Sequence, residues 1–225
     1  LVAGLPVSLP DGVNGNISCI RACLARSGVE ATTPELFGAS GVAFRAYFFR
    51  RADNPGEGPE WCWTSNHVIS RDPHAALGRY AGATIEAKLD LQPEAAWNLV
   101  EAEVTFGRPL ISFGVGGPLE PVIVTGYRRS EDGRRFLRVQ SKFLAARDAE
   151  VDVTGRANWC GAEAPLRNPL ILVQAGTGPV PDLTRKAALR VEACRWALGH
   201  GAARQERLSN QLVYRAGLAA FDAFA

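Results

Sequence analysis

The chain has 225 residues, of which 47% are hydrophobic and 21% are charged, and its formal net charge is +2. These values are ordinary for a globular protein and exclude a disordered chain, while the small net charge gives no electrostatic argument for a nucleic-acid partner. No apolar run approaches the roughly 20 residues that cross a bilayer, and the apolar first ten residues lack the basic start of a signal peptide. We therefore expect a soluble cytoplasmic protein with no membrane partner.

The cysteines do not follow a pattern typical of disulfides or of metal binding. Their number is odd, their spacing is irregular, and no Cys-x-x-Cys motif is present. We expect free thiols in a reducing compartment, no bound metal and no cofactor. The five positions are Cys19, Cys23, Cys62, Cys160 and Cys194.

The N-terminal half is predicted to mix short helices and strands. Ser18 is a suitable N-cap for a helix over residues 19–27, which ends at Gly28. A second helix is predicted to start at Thr33, because a proline and an acidic residue follow it. Further along the chain we predict a strand over 42–49, a Pro/Gly loop over 54–59, a helix over 72–80, a strand over 84–89 and a helix over 92–105.

The C-terminal half carries the clearest strand pattern, followed by helices. Strands are predicted over 109–115, 121–127, 135–140 and 169–174, with a hairpin turn at residues 131–133. Two helices are predicted over 183–198 and 204–224, the second with apolar residues on one face. Runs of strands followed by runs of helices indicate an α+β fold.

Three segments resemble the butirosin biosynthesis protein H family. They are residues 28–30 with 35–45 (GVE and ELFGASGVAFR), residues 107–114 with 120–127 (GRPLISFG and EPVIVTGY), and residues 216–224 (AGLAAFDAF). The resemblance implies one papain-like α+β domain over residues 1–225, similar to bacteriocin-leader cysteine peptidases. In it, an N-terminal helix packs on an antiparallel sheet, and residues 182–225 form an extension of two helices. The member for which the family is named transfers an acyl group from a carrier-protein thioester to an aminoglycoside amine.

The resemblance also implies a thiol acyl-transfer site, for which Cys19 is the candidate nucleophile. If Ser18 caps the helix, Cys19 lies in the first turn, where free N–H groups and the helix dipole lower a thiol pKa and bind an oxyanion. Peptidase-like members of the family carry a histidine where this chain has Glu120, and Arg128 stands where an orienting aspartate is expected. Glu120 either acts as a base, if burial raises its pKa, or orders a loop.

The candidate substrate-binding residues are Asn16 and Ser18 at the start of the first helix and Trp61 and Trp63 after the Pro/Gly loop. The two tryptophans either line a ligand cleft or pack in the core beneath that loop. The histidines that could reach the site from outside the usual strand are His67 and His74; His200 lies in the break between the two C-terminal helices.

Three hypotheses follow from these observations. The first is a thiol-dependent acyltransferase or amide hydrolase of a biosynthetic pathway, acting on a small molecule or peptide with an acyl carrier protein as a further partner. The second is a catalytically inactive binding module for a peptide, a carrier protein or a small molecule, which burial of Cys19 against Ile20 and Leu24 would favour. The third is a homodimer joined through the C-terminal helices.

Overall fold

The computed structural model describes residues 15–40, 47–51, 60–61, 71–117, 120–141, 148–161, 167–197, 205–207 and 212–216. Within these residues the chain has an α+β architecture of five helices and ten strands. The helices are α1 (Gly15–Arg26), α2 (Thr33–Ser40), α3 (Arg71–Ala81), α4 (Pro93–Thr105) and α5 (Leu183–Ala197).

Six strands form an antiparallel sheet that is the centre of the fold. They are β3 (Ala83–Lys88), β4 (Leu110–Phe113), β5 (Pro121–Arg129), β6 (Arg135–Gln140), β7 (Asp148–Asp152) and β8 (Leu170–Ala175). Their order across the sheet is β3-β8-β4-β5-β6-β7. The last strand of the chain in this sheet therefore lies between the first and the second, and β3 and β7 are its edges.

The other four strands form a second sheet, two of them before α3 in the chain and two after α5. They are β1 (Tyr47–Arg51), β2 (Glu60–Trp61), β9 (Gln205–Arg207) and β10 (Leu212–Ala216), in the order β2-β1-β10-β9. Each neighbouring pair is antiparallel, and β1 pairs with β10 over five residues, from Tyr47 opposite Ala216 to Arg51 opposite Leu212.

Both faces of the central sheet are covered, because strand residues alternate between two apolar clusters. Ile111, Ile123 and Ile171 pack with α1, α2, α3 and α5, whereas Leu110, Val124 and Leu170 pack with α4 and its buried Trp97. Burial on both faces explains why β4 and the first four residues of β8 are buried throughout rather than at alternate positions. The fold therefore has four helices on one face of the sheet and α4 on the other.

Most of the predicted elements are confirmed. Helices α2, α3, α4 and α5 and strands β3, β4, β5, β6 and β8 lie within a few residues of their predicted positions. The predicted hairpin turn is present, with Gly133 at a φ of 82°. Strand β1 covers only the end of the predicted strand 42–49; residues 41–46, like the predicted loop 54–59, lie outside the described residues.

The prediction of a second C-terminal helix over residues 204–224 is wrong, because β9 and β10 occupy residues 205–207 and 212–216. Residues 212–214 are leucine, valine and tyrosine, of which the last two favour strands, and pairing with β1 supplies the main-chain hydrogen bonds that a strand needs from a neighbour. Its apolar face was also the proposed dimer interface, so the argument for a homodimer through two C-terminal helices no longer holds. Only α5 remains of the predicted helical pair in the described part of 182–225.

Strand β7 was not predicted, because three of its five residues are acidic and acidic residues disfavour strands. In the sheet two of those acids pair with arginines of β6 and of β5, the next strand beyond it. Arg138 pairs with Asp148 across β6 and β7, at 2.7 Å, and Arg128 of β5 pairs with Glu150. Opposite charges across strands offset the poor propensity.

Among the described residues, no helix combines the length and the apolar character needed to span a membrane.

Candidate functional site

Helix α1 begins at Gly15, three residues before the predicted cap. Ser18 is therefore the fourth residue of the helix and Cys19 the fifth, so the predictions that Ser18 is the N-cap and that Cys19 lies in the first turn are wrong. Only the first four N–H groups of a helix lack a partner within it. The reason for the early start is Ile17, which is fully buried and forms one apolar stripe with Ile20 and Leu24.

The side chain of Cys19 is buried in the apolar cluster beneath α1. Its exposed fraction is 3%, and it shares the cluster with Ile20 and Leu24. Cys23, one turn further on, is fully buried, and its burial, together with the charge of a Cys19 thiolate, raises the pKa of the Cys23 thiol. An apolar environment disfavours the thiolate form that nucleophilic chemistry requires.

Glu120 lies immediately before β5 and is partly exposed. Its backbone carbonyl accepts a hydrogen bond from the N–H of Gly114 at 3.0 Å, which closes the turn after β4. Helix α1 packs against β4, β5 and β8, so the helix and Glu120 lie on neighbouring elements. Arg128, at the position expected for an orienting aspartate, pairs with Glu150 on the outer part of the sheet.

Asn16 and Ser18 are polar groups enclosed at the start of α1. Each side chain is 2% exposed, and both amide atoms of Asn16 and the hydroxyl of Ser18 have no hydrogen-bond partner among the described residues. A buried polar group without a partner costs roughly 1–3 kcal/mol. These two residues therefore keep unused hydrogen-bonding capacity beside Cys19, but their side chains do not reach the surface.

The remaining candidates are only partly described. Trp61 belongs to β2 and pairs in register with Phe48 of β1. Trp63, His67 and His200 lie outside the described residues.

His74, one of the two histidines considered able to reach the site from outside the usual strand, is buried in α3. It is 1% exposed, and neither ring nitrogen has a hydrogen-bond partner among the described residues. Burial lowers the pKa of His74 to about 4, so the ring is neutral at pH 7. Its spacing with Leu77 and Ala81, which are both buried, places His74 on the inner face of α3. This helical periodicity in the sequence predicts the burial of His74.

A cavity of about 540 Å³ opens between α3, the edge strand β3, the segment 177–181 and the first turns of α5. No residue of α1 lines it. Its walls are mostly small or apolar, and three charged residues lie among them. The lining residues are Ala75, Gly78, Arg79, Gly82, Ala83, Thr84, Ile85, Glu86, Thr177, Gly178, Pro179, Pro181, Arg185 and Leu189.

Two glycines allow the walls of the cavity to approach each other. A Cβ atom on Gly78 would lie 2.5 Å from the carbonyl oxygen of Ala83, so α3 packs directly on the backbone of β3. Gly82, at a φ of 64°, makes the turn between these two elements. A Cβ atom there would lie 3.1 Å from the carbonyl oxygen of Gly178, so the segment 177–181 also packs closely on this turn.

Side-chain contacts fix α5 against α2 and α3. The hydroxyl of Tyr80 donates a hydrogen bond to Glu35 at 3.0 Å and accepts one from Arg190 at 2.6 Å. Glu35 also accepts hydrogen bonds from the N–H and hydroxyl of Thr32, both at 2.8 Å, which cap α2 and lower the pKa of this carboxyl. The cavity therefore lies between elements whose positions are set by packing and by hydrogen bonds.

The charged residues of the cavity differ in their partners. Arg79 pairs with Glu192 at 2.9 Å, and Glu86 pairs with Lys88. The backbone N–H of Arg185 donates to the Asp182 carboxylate at 2.7 Å, which caps α5. The guanidinium of Arg185 forms no ion pair with a carboxylate among the described residues, so its positive charge is available to a ligand at the cavity.

Within the described ranges, no group of three or more histidine, cysteine, aspartate and glutamate residues is placed to hold a metal ion. No protein-family model matches the chain, and no curated protein matches it. The resemblance to the butirosin biosynthesis protein H family therefore stays a prediction from the sequence.

Proposed function

We propose that the chain is a non-catalytic binding domain of papain-like fold, which holds a small molecule in the cavity between α3 and α5. The observation that carries this proposal is the burial of Cys19, whose side chain is 3% exposed within an apolar cluster. The packing of α1 on the antiparallel sheet supports the papain-like assignment. The resemblance then concerns the scaffold and does not extend to thiol chemistry.

The shape of the cavity favours a small molecule over a peptide or a carrier protein. Its volume of about 540 Å³ falls within the range of roughly 300–1,000 Å³ that is typical of small-molecule sites. A peptide would bind most readily by adding a strand to β3. However, Gly78 of α3 packs against the carbonyl of Ala83 and lies near the N–H of Ile85, so this part of the edge is covered.

The competing hypothesis is a thiol-dependent acyltransferase or amide hydrolase with Cys19 as nucleophile and Glu120 as base. It requires a thiol that reacts in the folded protein and a base within hydrogen-bond reach. Burial of Cys19 and its position beyond the free N–H groups of α1 both argue against an activated thiol there.

Alkylation by iodoacetamide between pH 6 and pH 9, read by mass spectrometry at each cysteine, separates the two hypotheses. We expect Cys194, which is partly exposed, to react in the folded protein, and Cys19 and Cys23 to react only when urea unfolds the chain. Rapid alkylation of Cys19 below pH 7 in the folded protein would contradict the proposal. The same holds for turnover of an N-acetylcysteamine thioester that disappears in Cys19→Ala but persists in Cys194→Ala.

A further inference from the structure

We infer that the cavity binds a small organic anion with an apolar body, of the aliphatic carboxylic acid class, whose carboxylate pairs with Arg185. This inference rests on the proposed binding function and adds the chemical class of the ligand. Three observations support it: Arg185 forms no ion pair within the described part of the chain, the floor of the cavity is apolar, and the other two charged lining residues are each paired with an opposite charge.

Arg185 is the cationic group available to a ligand among the described residues that line the cavity. The other lining arginine, Arg79, is paired with Glu192 at 2.9 Å. Arg190, which follows the lining residue Leu189 on the same helix, is bonded to Tyr80 and Glu35. A guanidinium offers several N–H donors in a planar fork that matches a carboxylate, so an anionic group is the complementary ligand chemistry.

The apolar floor lies directly beneath this charge. Leu189 follows Arg185 by one turn of α5, so the two side chains share a helix face. Leu189 is buried and Arg185 is exposed, which places the apolar surface inside and the charge at the rim. Ile85 of β3 is buried on the opposite wall. A ligand with an apolar chain and a terminal carboxylate fits this arrangement, with the chain against Leu189 and Ile85 and the carboxylate at Arg185.

The remaining rim charge does not oppose an anion strongly. Glu86 lines the cavity on β3, but it is paired with Lys88 on the same strand. Pro179 and Pro181 form part of the wall, and proline restricts backbone motion in the segment that closes the cavity. A wall that is already restricted loses little conformational entropy when a ligand binds, which favours affinity.

Isothermal titration calorimetry with octanoate and with 1-octanol, its uncharged counterpart, tests the inference on the full chain. We expect wild type to bind octanoate at least tenfold more tightly than 1-octanol. Arg185→Gln should weaken octanoate binding by roughly 10- to 100-fold, the effect of losing a charge-assisted hydrogen-bonded pair, and should leave 1-octanol unchanged. Arg195→Gln, an exposed arginine on the same helix outside the cavity, should bind like wild type.

A second variant tests the location of the site. Ala75 is an exposed residue of α3 that lines the cavity, so Ala75→Phe fills the space without disturbing the core. We expect it to abolish binding of both compounds while its circular dichroism spectrum stays that of wild type. The ligand class is wrong if wild type binds no octanoate, if 1-octanol binds equally well, or if Arg185→Gln has no effect. Equal binding of 1-octanol would leave the proposed binding function standing, and the cysteine alkylation experiment tests the non-catalytic part of that proposal without either compound.

Discussion

Two buried serines of this chain differ in whether their hydroxyl groups are hydrogen-bonded. Ser40, at the end of α2, donates a hydrogen bond to the carbonyl oxygen of Phe37 at 3.0 Å. Ser18, inside α1, has a hydroxyl with no hydrogen-bond partner among the described residues. Both side chains are 2% exposed or less, so solvent does not compensate the difference.

We expect Ser18→Ala to stabilise the protein by about 1 kcal/mol, because alanine removes an unpaired buried hydroxyl and has the higher helix propensity. Ser40→Ala should destabilise it by about 1 kcal/mol, because a buried hydrogen bond is lost. Urea unfolding followed by circular dichroism measures both changes. Destabilisation of equal size in the two variants would mean that Ser18 is hydrogen-bonded in solution, for example to an enclosed water molecule.

The sequence indicates which residues are candidates for the site, but it does not predict whether the side chains at the start of α1 are buried. Asn16 and Ser18 are both favourable N-cap residues, so the sequence alone does not decide where α1 starts. Burial of Ile17 decides it, and the partners that bury α1 include Ile123 and Ile171, which are distant in sequence. The burial of Cys19 has the same origin, because its cluster exists only once the sheet has formed.

The elements of this fold depend on close approaches that single glycines permit. Gly78 in α3 is the clearest example, because its Cα packs on the backbone of β3. Gly38 in α2 is its natural comparison: it is also helical, and a Cβ atom there would meet no heavy atom within 4 Å.

Gly78→Ala should destabilise the protein by about 1–3 kcal/mol, since its Cβ atom would lie 2.5 Å from the Ala83 carbonyl oxygen and α3 would have to move. Gly38→Ala should instead stabilise it by roughly 0.5–1 kcal/mol through helix propensity. Thermal unfolding of both variants beside wild type provides the measurement. Stabilisation by both substitutions would show that α3 does not pack on β3 as described.

Local patterns predicted most helices and strands because periodicity and capping residues are properties of neighbouring positions. They failed where an element depends on a distant partner. β7 needs the arginines of β5 and β6, and β10 needs β1 from the opposite end of the chain. The cavity could not be predicted from local patterns either, because its walls come from α3, β3 and α5, and α5 is distant in sequence from the other two.

The stability of the whole molecule is linked to pH through His74. Its pKa is about 4 in the folded protein because of burial, against an ordinary value of 6.5. Between these values the unfolded chain binds a proton that the folded chain does not, so the free energy of unfolding decreases as the pH falls. The stability from a neutral His74 is complete above about pH 6.5 and is lost as the pH approaches 4.

We expect wild type to lose about 2–3 kcal/mol of unfolding free energy between pH 6.5 and pH 4.5. This range lies above the ordinary pKa values of aspartate and glutamate, so carboxylates contribute less to the change. His74→Leu should show little loss over the same range. Urea unfolding at several pH values, with tryptophan fluorescence as the probe, measures both slopes. Identical slopes in the two proteins would show that His74 is protonated, or reaches solvent, in the folded state.

The fold class was predictable at the scale of the molecule, whereas the arrangement of the sheet was not. Strong strand patterns followed by helices indicated α+β, and the structure has this architecture. Nothing in the local sequence around residues 170–175 indicates that this strand lies between β3 and β4. Strand order depends on how the two faces of the sheet are covered, which involves the whole chain.

The central place of β8 has a consequence for protein synthesis. On the ribosome, β3 emerges long before β8, its neighbour in the described sheet, and β4 emerges with one of its two edges still open. Exposed strand edges pair readily with other chains. A nascent chain that stalls before Leu170 is therefore prone to aggregate, and we expect chaperones to be needed until that last central strand has left the exit tunnel.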